Sequence, residues 1–164
     1  MSYGVKTNGK KNGLLKRVRI RCGKIIAGSF PLNSLRVWGL RLCGFKIGHE
    51  VYIGPGLTIA SLVSEEGCNL IIGDRVALGP GVTLVLSSDA NWSRLNKVFQ
   101  PVRGVIHLGN DCWLGAGVIV LPDITIGECS VAGAGCVVTG NIPPYKIYAG
   151  VPAKEIGDID REKL

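Results

Sequence analysis

Acid is missing from the start of this sequence: no Asp or Glu precedes Glu50. The same stretch holds eleven basic residues, Lys6, Lys10, Lys11, Lys16, Arg17, Arg19, Arg21, Lys24, Arg36, Arg41 and Lys46. Histidine is scarce, with only His49 and His107. No apolar run approaches the roughly 18 residues that span a bilayer. The N-terminus lacks the apolar core and cleavage site of a secretory signal. There are 6 Cys but no CxxC pair, which argues against a disulfide framework and a Cys metal site. These absences predict a reduced, cytoplasmic chain that holds no metal. No nucleic-acid reading motif accompanies the basic charge, so nucleic acid is not an expected partner.

What is present is a period of six. From Leu108 the sequence reads LGNDCW, LGAGVI, VLPDIT, IGECSV, AGAGCV, VTGNIP. The first slot holds Leu108, Leu114, Val120, Ile126, Ala132 and Val138, and the fifth Cys112, Val118, Ile124, Ser130, Cys136 and Ile142. Gly fills the second slot at Gly109, Gly115, Gly127 and Gly133. A helix repeats at 3.6 residues and an alternating strand at two, so neither explains this pattern. It fits a parallel β-helix in which each six-mer is a short strand and a corner, and three six-mers make one coil. Leu108 then stacks on Ile126, Leu114 on Ala132 and Val120 on Val138. The first and fifth slots point inward. The second-slot Gly is expected to supply backbone conformations closed to other residues.

The segment IGECSVAGAGCVVTGNIPPYKIYAGVPAKEI, and above all Ala149–Lys154, resembles the last coils and exit segment of the hexapeptide-repeat acyltransferases. Within that family it is most similar to the maltose- and galactoside-acetyltransferase branch, which includes enzymes that decorate surface polysaccharides. The resemblance runs from about Leu32 to Ile156. It implies an all-β chain, a left-handed parallel β-helix of hexapeptide repeats preceded by one or two short N-terminal helices. It also implies a homotrimer and transfer of an acetyl group from acetyl-coenzyme A to a hydroxyl of a sugar or glycan precursor. The Gly/Ala-rich surface after Leu108 needs cover, which agrees with a trimer. A zinc hydratase built on the same helix takes three His from two subunits; here His49 and His107 lie more than three coils' worth of sequence apart and there is no third His, so that activity is not expected.

Ahead of the repeats, residues 1–12 have almost nothing to bury and are expected to be a disordered basic tail. Residues 13–44 form a helical segment. Leu14, Leu15, Val18, Cys22, Ile25 and Ile26 recur at helical steps, and Gly23 weakens that helix. A second helix starts near Pro31, with Asn33 or Ser34 able to cap it, and ends at Gly44. Basic charge beside an amphipathic helix can bind an anionic membrane. The alternative is that the apolar stripe packs on the coil or a neighbouring subunit. The β-helix spans 45–142 and the exit segment 143–164. Ile47, Ile53 and Ile59 open the first coil, Glu65 to Asn69 interrupt it, and six-mers resume at Ile72 and Leu78. Residues 87–104 have no six-residue period and are expected to leave the coil as an extruded loop.

Acyl transfer to a hydroxyl needs a base and donors for the oxyanion. The resemblance places a His early in the extruded loop, and here Asp89 occupies that slot. A carboxylate is a weak base toward a sugar hydroxyl. His107, read as a corner residue at the far end of the loop, is the candidate base, with Asp89 orienting it. Where the family often carries Asn one coil earlier, this chain has Gly56. Ser88, Asn91 and Trp92 are candidate acceptor contacts. By the resemblance, Ala116 and Ala134 line the pantetheine groove, Thr139 lies near the pyrophosphate, and Lys154 meets a nucleotide phosphate. The alternative function is a non-catalytic trimeric scaffold or acyl-coenzyme A-binding protein that has lost its His base.

Overall fold

The structure is a computed structural model that describes residues 8–61 and 69–164. Two helices, α1 (Asn8–Ser29) and α2 (Asn33–Cys43), precede a column of short parallel strands. The strands fall on three faces. The first face is built from Lys46–Ile47, Asn69–Ile72, Val105–Leu108 and Thr125–Ile126. The second is Tyr52–Ile53, Ala77–Leu78, Trp113–Leu114, Val131–Ala132 and Lys146–Ala149, closed by the antiparallel Lys154–Asp158. The third is Thr58–Ala60, Thr83–Val85, Ile119–Val120 and Val137–Val138.

The expected register is the observed one. Leu108 pairs with Ile126, Leu114 with Ala132 and Val120 with Val138. The earlier coils continue the columns: Ile47, Ile72 and Leu108 stack on the first face, and Ile53, Leu78 and Leu114 on the second. These residues and the fifth-slot side chains fill the interior, which is almost wholly aliphatic. Ser130 is the polar exception, and its hydroxyl donates to the Pro143 carbonyl at 2.7 Å. Cys112 donates its thiol to the Gly127 carbonyl at 2.9 Å, and burial pushes that thiol up to about 11.

The reason for the second-slot Gly differs from expectation. The left-handed backbone lies elsewhere, at fourth-slot residues such as Gly117 (φ 68°) and at a corner column running Glu50, Arg75, Asp111, Cys129 and Tyr145. The second slot is a site of close approach. A Cβ at Gly115 would stand 2.6 Å from the Ala134 backbone nitrogen in the next coil. Only hydrogen lets adjacent coils reach ladder distance there.

The N-terminal boundaries also move. Met1–Thr7 lie outside the described residues, and Asn8–Asn12, expected in a disordered tail, are helical. Once the following turns are formed, each added residue closes a further hydrogen bond at small cost. Gly23 does not break α1; it is where α2 crosses. A Cβ at Gly23 would lie 2.6 Å from the Gly39 carbonyl, and one at Gly39 would lie 2.7 Å from the Gly23 carbonyl. The buried residues of α1 are therefore Gly23 and Ala27; of the predicted apolar stripe, Ile26 is half-buried against Gly39, and Leu14, Leu15, Val18, Cys22 and Ile25 are left outside. Neither Asn33 nor Ser34 caps α2, whose N-cap is Leu32. Asn33 instead bridges to the first coil, donating to the Val51 carbonyl and accepting from the Ile53 N–H. Buried Arg36 donates to the carbonyls of Ile53, Phe30 and Pro31. Gly44 ends α2 in the left-handed conformation, as expected.

The coil also runs past Ile142. Lys146–Ala149 pairs with Val131–Ala132, because Tyr145 takes the same left-handed corner as Cys129 below it. Of the expected interruption at Glu65–Asn69, only Asn69 is described, and it opens a first-face strand.

Two outcomes follow from the coil geometry. Gly115→Ala should cost about 2–3 kcal/mol through overpacking. Gly117→Ala, with space around its Cβ but φ of 68°, should cost about 1 kcal/mol. Urea denaturation of the two variants would rank them, and the reverse order would refute the close-approach argument. In the native protein Cys112 and Cys43, both raised to about 11 by burial, should resist a thiol reagent at mildly alkaline pH, while exposed Cys22 reacts at once.

Candidate active site

The extruded loop is pinned where it leaves the coil. Gly104 donates its N–H to the Leu86 carbonyl at 3.0 Å, and Ser87–Ser88 pairs antiparallel with Val102–Arg103. The loop therefore emerges at the corner between the third and first faces, its two ends in contact. Beyond this ribbon it carries one short 3-10 turn, Arg94–Lys97, capped by the Ser93 hydroxyl.

Two clefts lie against the loop base, and Asp89 borders both. One, about 420 Å³, is lined by Ala60, Ser61, Val85, Ser87, Ser88, Asp89 and Asn91. The other, about 320 Å³, lies between Ser88, Asp89, Ala90, Leu95, Phe99, Gln100 and Val102. The Asp89 carboxylate accepts the Asn91 N–H, and the Asn91 side-chain amide donates back to the Asp89 carbonyl at 3.1 Å. This local turn fixes the carboxylate at the boundary between the clefts. Of the expected acceptor contacts, Ser88 and Asn91 line the first cleft, whereas Trp92 lines neither and is fully exposed.

Sequence reasoning missed Ser61. The slot it examined one coil before the loop, Gly56, is a left-handed corner at φ 78° on the opposite edge of the coil. The polar residue that reaches the cleft from that coil is Ser61, next to Ala60. The register carries the signal: Ala60 pairs with Val85, so Ser61 sits beneath the point where the loop departs. Ser61 in turn accepts from the Lys24 ammonium at its hydroxyl (2.7 Å) and its carbonyl (2.9 Å), which ties α1 to the cleft wall.

His107 is not at a corner. It lies within the strand Val105–Leu108, between Ile71 and Thr125, and its side chain is on the exposed side of the first face. It lines neither cleft, and among the described residues its ring makes no hydrogen bond. One chain alone therefore does not form the expected Asp89–His107 hydrogen bond. Alternation explains this: Ile106 and Leu108 point inward, so His107 must point out.

The second candidate region lies on the corner between the second and third faces. Ala116 and Ala134 are exposed there, one coil apart. The Ala116 carbonyl accepts from Gly135 at 2.8 Å, but among the described residues neither alanine N–H has a partner. At the end of the column the Ala153 N–H bonds the Val137 carbonyl at 2.8 Å, which sets Lys154 one residue beyond a contact with the last third-face strand. The Val151–Pro152 bond in this exit turn is cis. Lys146 braces the turn through Glu155 (2.7 Å) and Asp158 (2.6 Å), and those carboxylates raise its pKa. Lys154 has no side-chain partner among the described residues. Those residues also contain no group of three or more His, Cys, Asp or Glu placed to hold a metal.

Residues 106–140 match the family described as bacterial transferase hexapeptide (six repeats). The chain is a hexapeptide-repeat left-handed β-helix. Its fold is shared along 93% of its length, at a TM-score of 0.65 and 24% identity, with a maltose O-acetyltransferase from Clostridium difficile, 91% of which is covered. A galactoside acetyltransferase solved in complex with coenzyme A covers 93% of the hexapeptide chain and is itself covered to 85%, at a TM-score of 0.63 and 24% identity. In sequence, the galactoside O-acetyltransferase of Escherichia coli is 49% identical over 59 residues, 35% of this chain and 29% of the relative. The match spans about a third of the length of the curated relatives.

Proposed function

We propose that this hexapeptide β-helix is a coenzyme A-dependent O-acetyltransferase that acts on a hydroxyl of a sugar or glycan precursor and works as a homotrimer. The observation that carries the reading is the pair of open N–H groups at Ala116 and Ala134, one coil apart on a small-residue corner that leads to Lys154. Such a track suits the amide-bearing pantetheine arm, with Thr139 near the pyrophosphate and Lys154 as a point charge for a phosphate. Acetyl-coenzyme A supplies an acyl group already activated as a thioester. The chain's own task is to orient the acceptor, remove its proton and shield the reacting atoms.

Ser88, Asn91 and Asp89 offer an acceptor several hydrogen-bonding groups at the cleft. The acceptor oxygen bonds to the acetyl carbon as its proton passes to the base. The carbon–sulfur bond then breaks, and the coenzyme thiolate takes up a proton. His107 is the base in this reading and Asp89 its orienting partner. Because alternation puts His107 on the outer side of the first face, the pair is completed by His107 from a neighbouring copy. The outward column of the second face supports association: Tyr52, Ala77, Trp113, Val131 and Ile147 stack in register, with Tyr52 and Trp113 about half exposed.

A second reading has its own observation. Asp89 stands in the slot where the resembling family places His, and no His lines the cleft. On that reading the trimer binds acyl-coenzyme A without turnover.

The first measurement tests the coenzyme site that both readings share, and the others separate them. Lys154→Glu should weaken coenzyme A binding by tenfold or more, on the order of 1.4 kcal/mol, with the fold intact; unchanged calorimetric affinity removes Lys154 from the site. His107→Ala and Asp89→Asn should each lower kcat by roughly 10²–10⁴ while sparing coenzyme affinity. Mixed trimers assembled from the two variants should recover activity, because a boundary between an Asp89-bearing and a His107-bearing copy is intact. Without recovery, the shared site is wrong. With no turnover in the unmodified protein across a panel of sugar acceptors, the binding-only reading stands.

A further inference from the structure

α1 has two apolar sides, and only one of them is used. Toward the protein it presents Gly23 and Ala27, both buried against α2, with Ile20 half-buried beside them. On the opposite side Leu14, Val18, Cys22 and Ile25 recur at steps of four, four and three residues, with Leu15 adjoining. That stripe is open: Leu14, Leu15, Val18 and Ile25 are 65%, 70%, 51% and 63% exposed. Helical geometry sets Arg17 and Arg21 along one edge and Arg19 along the other. A stripe of large apolar residues edged by arginine on both sides is the pattern of a helix lying in a membrane interface. The charge is segregated to match. All eleven basic residues ahead of Glu50 lie in this part of the chain without one acid, whereas the remainder holds eight basic residues and all 12 acidic ones.

We propose that the outer face of α1 is a docking surface for an anionic lipid bilayer. The apolar stripe enters the acyl boundary and the flanking arginines meet the headgroup phosphates. The hairpin is rigid enough to transmit that attachment: Arg36, Asn33 and Arg41 hold α2 to the first coil through backbone groups. Lys24 holds α1 to Ser61 on the wall of the Asp89 cleft. Docking would therefore set the cleft beside the lipid surface. Two copies meeting through this same face would set arginine against arginine with no carboxylate between them, which disfavours a second copy as its occupant.

The test is flotation of the full chain with vesicles of phosphatidylcholine alone or mixed with phosphatidylglycerol, with size-exclusion chromatography of every variant. The protein should float with the mixed vesicles and not with the neutral ones, and should be released at high salt. Arg17→Gln and Arg21→Gln should each lower partitioning roughly five-fold. Val18→Asp should abolish it with the oligomer size unchanged. No flotation with phosphatidylglycerol at low salt overturns the proposal. So does Val18→Asp shifting the protein to a smaller oligomer, which would assign the stripe to a second copy.

Discussion

Every feature of this chain depends on how closely one coil lies on the next. The parallel ladder brings backbone to backbone at strand spacing on three faces, and at the corners that follow the first and second faces it leaves no room for a side chain at the second slot of the six-mer. Gly115 beneath Ala134 is the clearest case, with its Cβ direction filled by the neighbouring backbone. This contact fixes the register. Once the register is fixed, the vertical columns follow, and with them the interior, the outward faces and the corner chemistry. A chain under this constraint can take up extra residues only by leaving the coil at a corner and returning to the same corner. The loop closed by Leu86 and Gly104 does so.

The repeat period is what made the fold readable. Leu108, Leu114 and Val120 could be paired with Ile126, Ala132 and Val138 from spacing alone, because a register of six permits one stacking. What spacing could not give was the physical role of each slot. A Gly demanded by close approach and a Gly demanded by left-handed backbone look alike in a sequence, and the second-slot and fourth-slot reasons were told apart only by the geometry of Gly115 and Gly117. The same limit applied to Gly23. In a linear reading it weakens a helix, whereas in three dimensions it is where another helix crosses.

The candidate site was legible where it follows the coil and obscure where it leaves it. Ala116 and Ala134 were picked out by the resemblance, the period sets them one coil apart, and they share an exposed corner. Ser61 was missed because the stretch just after it interrupts the repeat, so its place under the loop base was hidden until Ala60 was seen paired with Val85. Asp89 was identified by its place in the loop and does border the clefts, but the partner chosen for it obeyed a different rule. Sequence nearness to the returning end of the loop suggested His107, yet strand alternation governs where that ring points, and Ile106 and Leu108 hold it outward.

That alternation carries a consequence for catalysis. A side chain on the outer side of a β-helix face cannot be brought around a corner by a rotamer change, and the backbone beneath it is locked by ladders to Asn69–Ile72 and Thr125–Ile126. Flexibility within one chain is therefore a poor route for joining His107 to Asp89; the alternatives are a second copy or a reaction that does without one of them. In the first case association is part of the chemistry, since no monomer holds both groups at one cleft. In the second, Asp89, fixed by Asn91 at the edge of two clefts, must act on the acceptor hydroxyl by itself. The two cases differ in which contacts matter. If the pair spans copies, the outward column of Tyr52, Ala77 and Trp113 matters as much to turnover as the loop does. If Asp89 acts alone, weakening that column leaves the acceptor cleft whole.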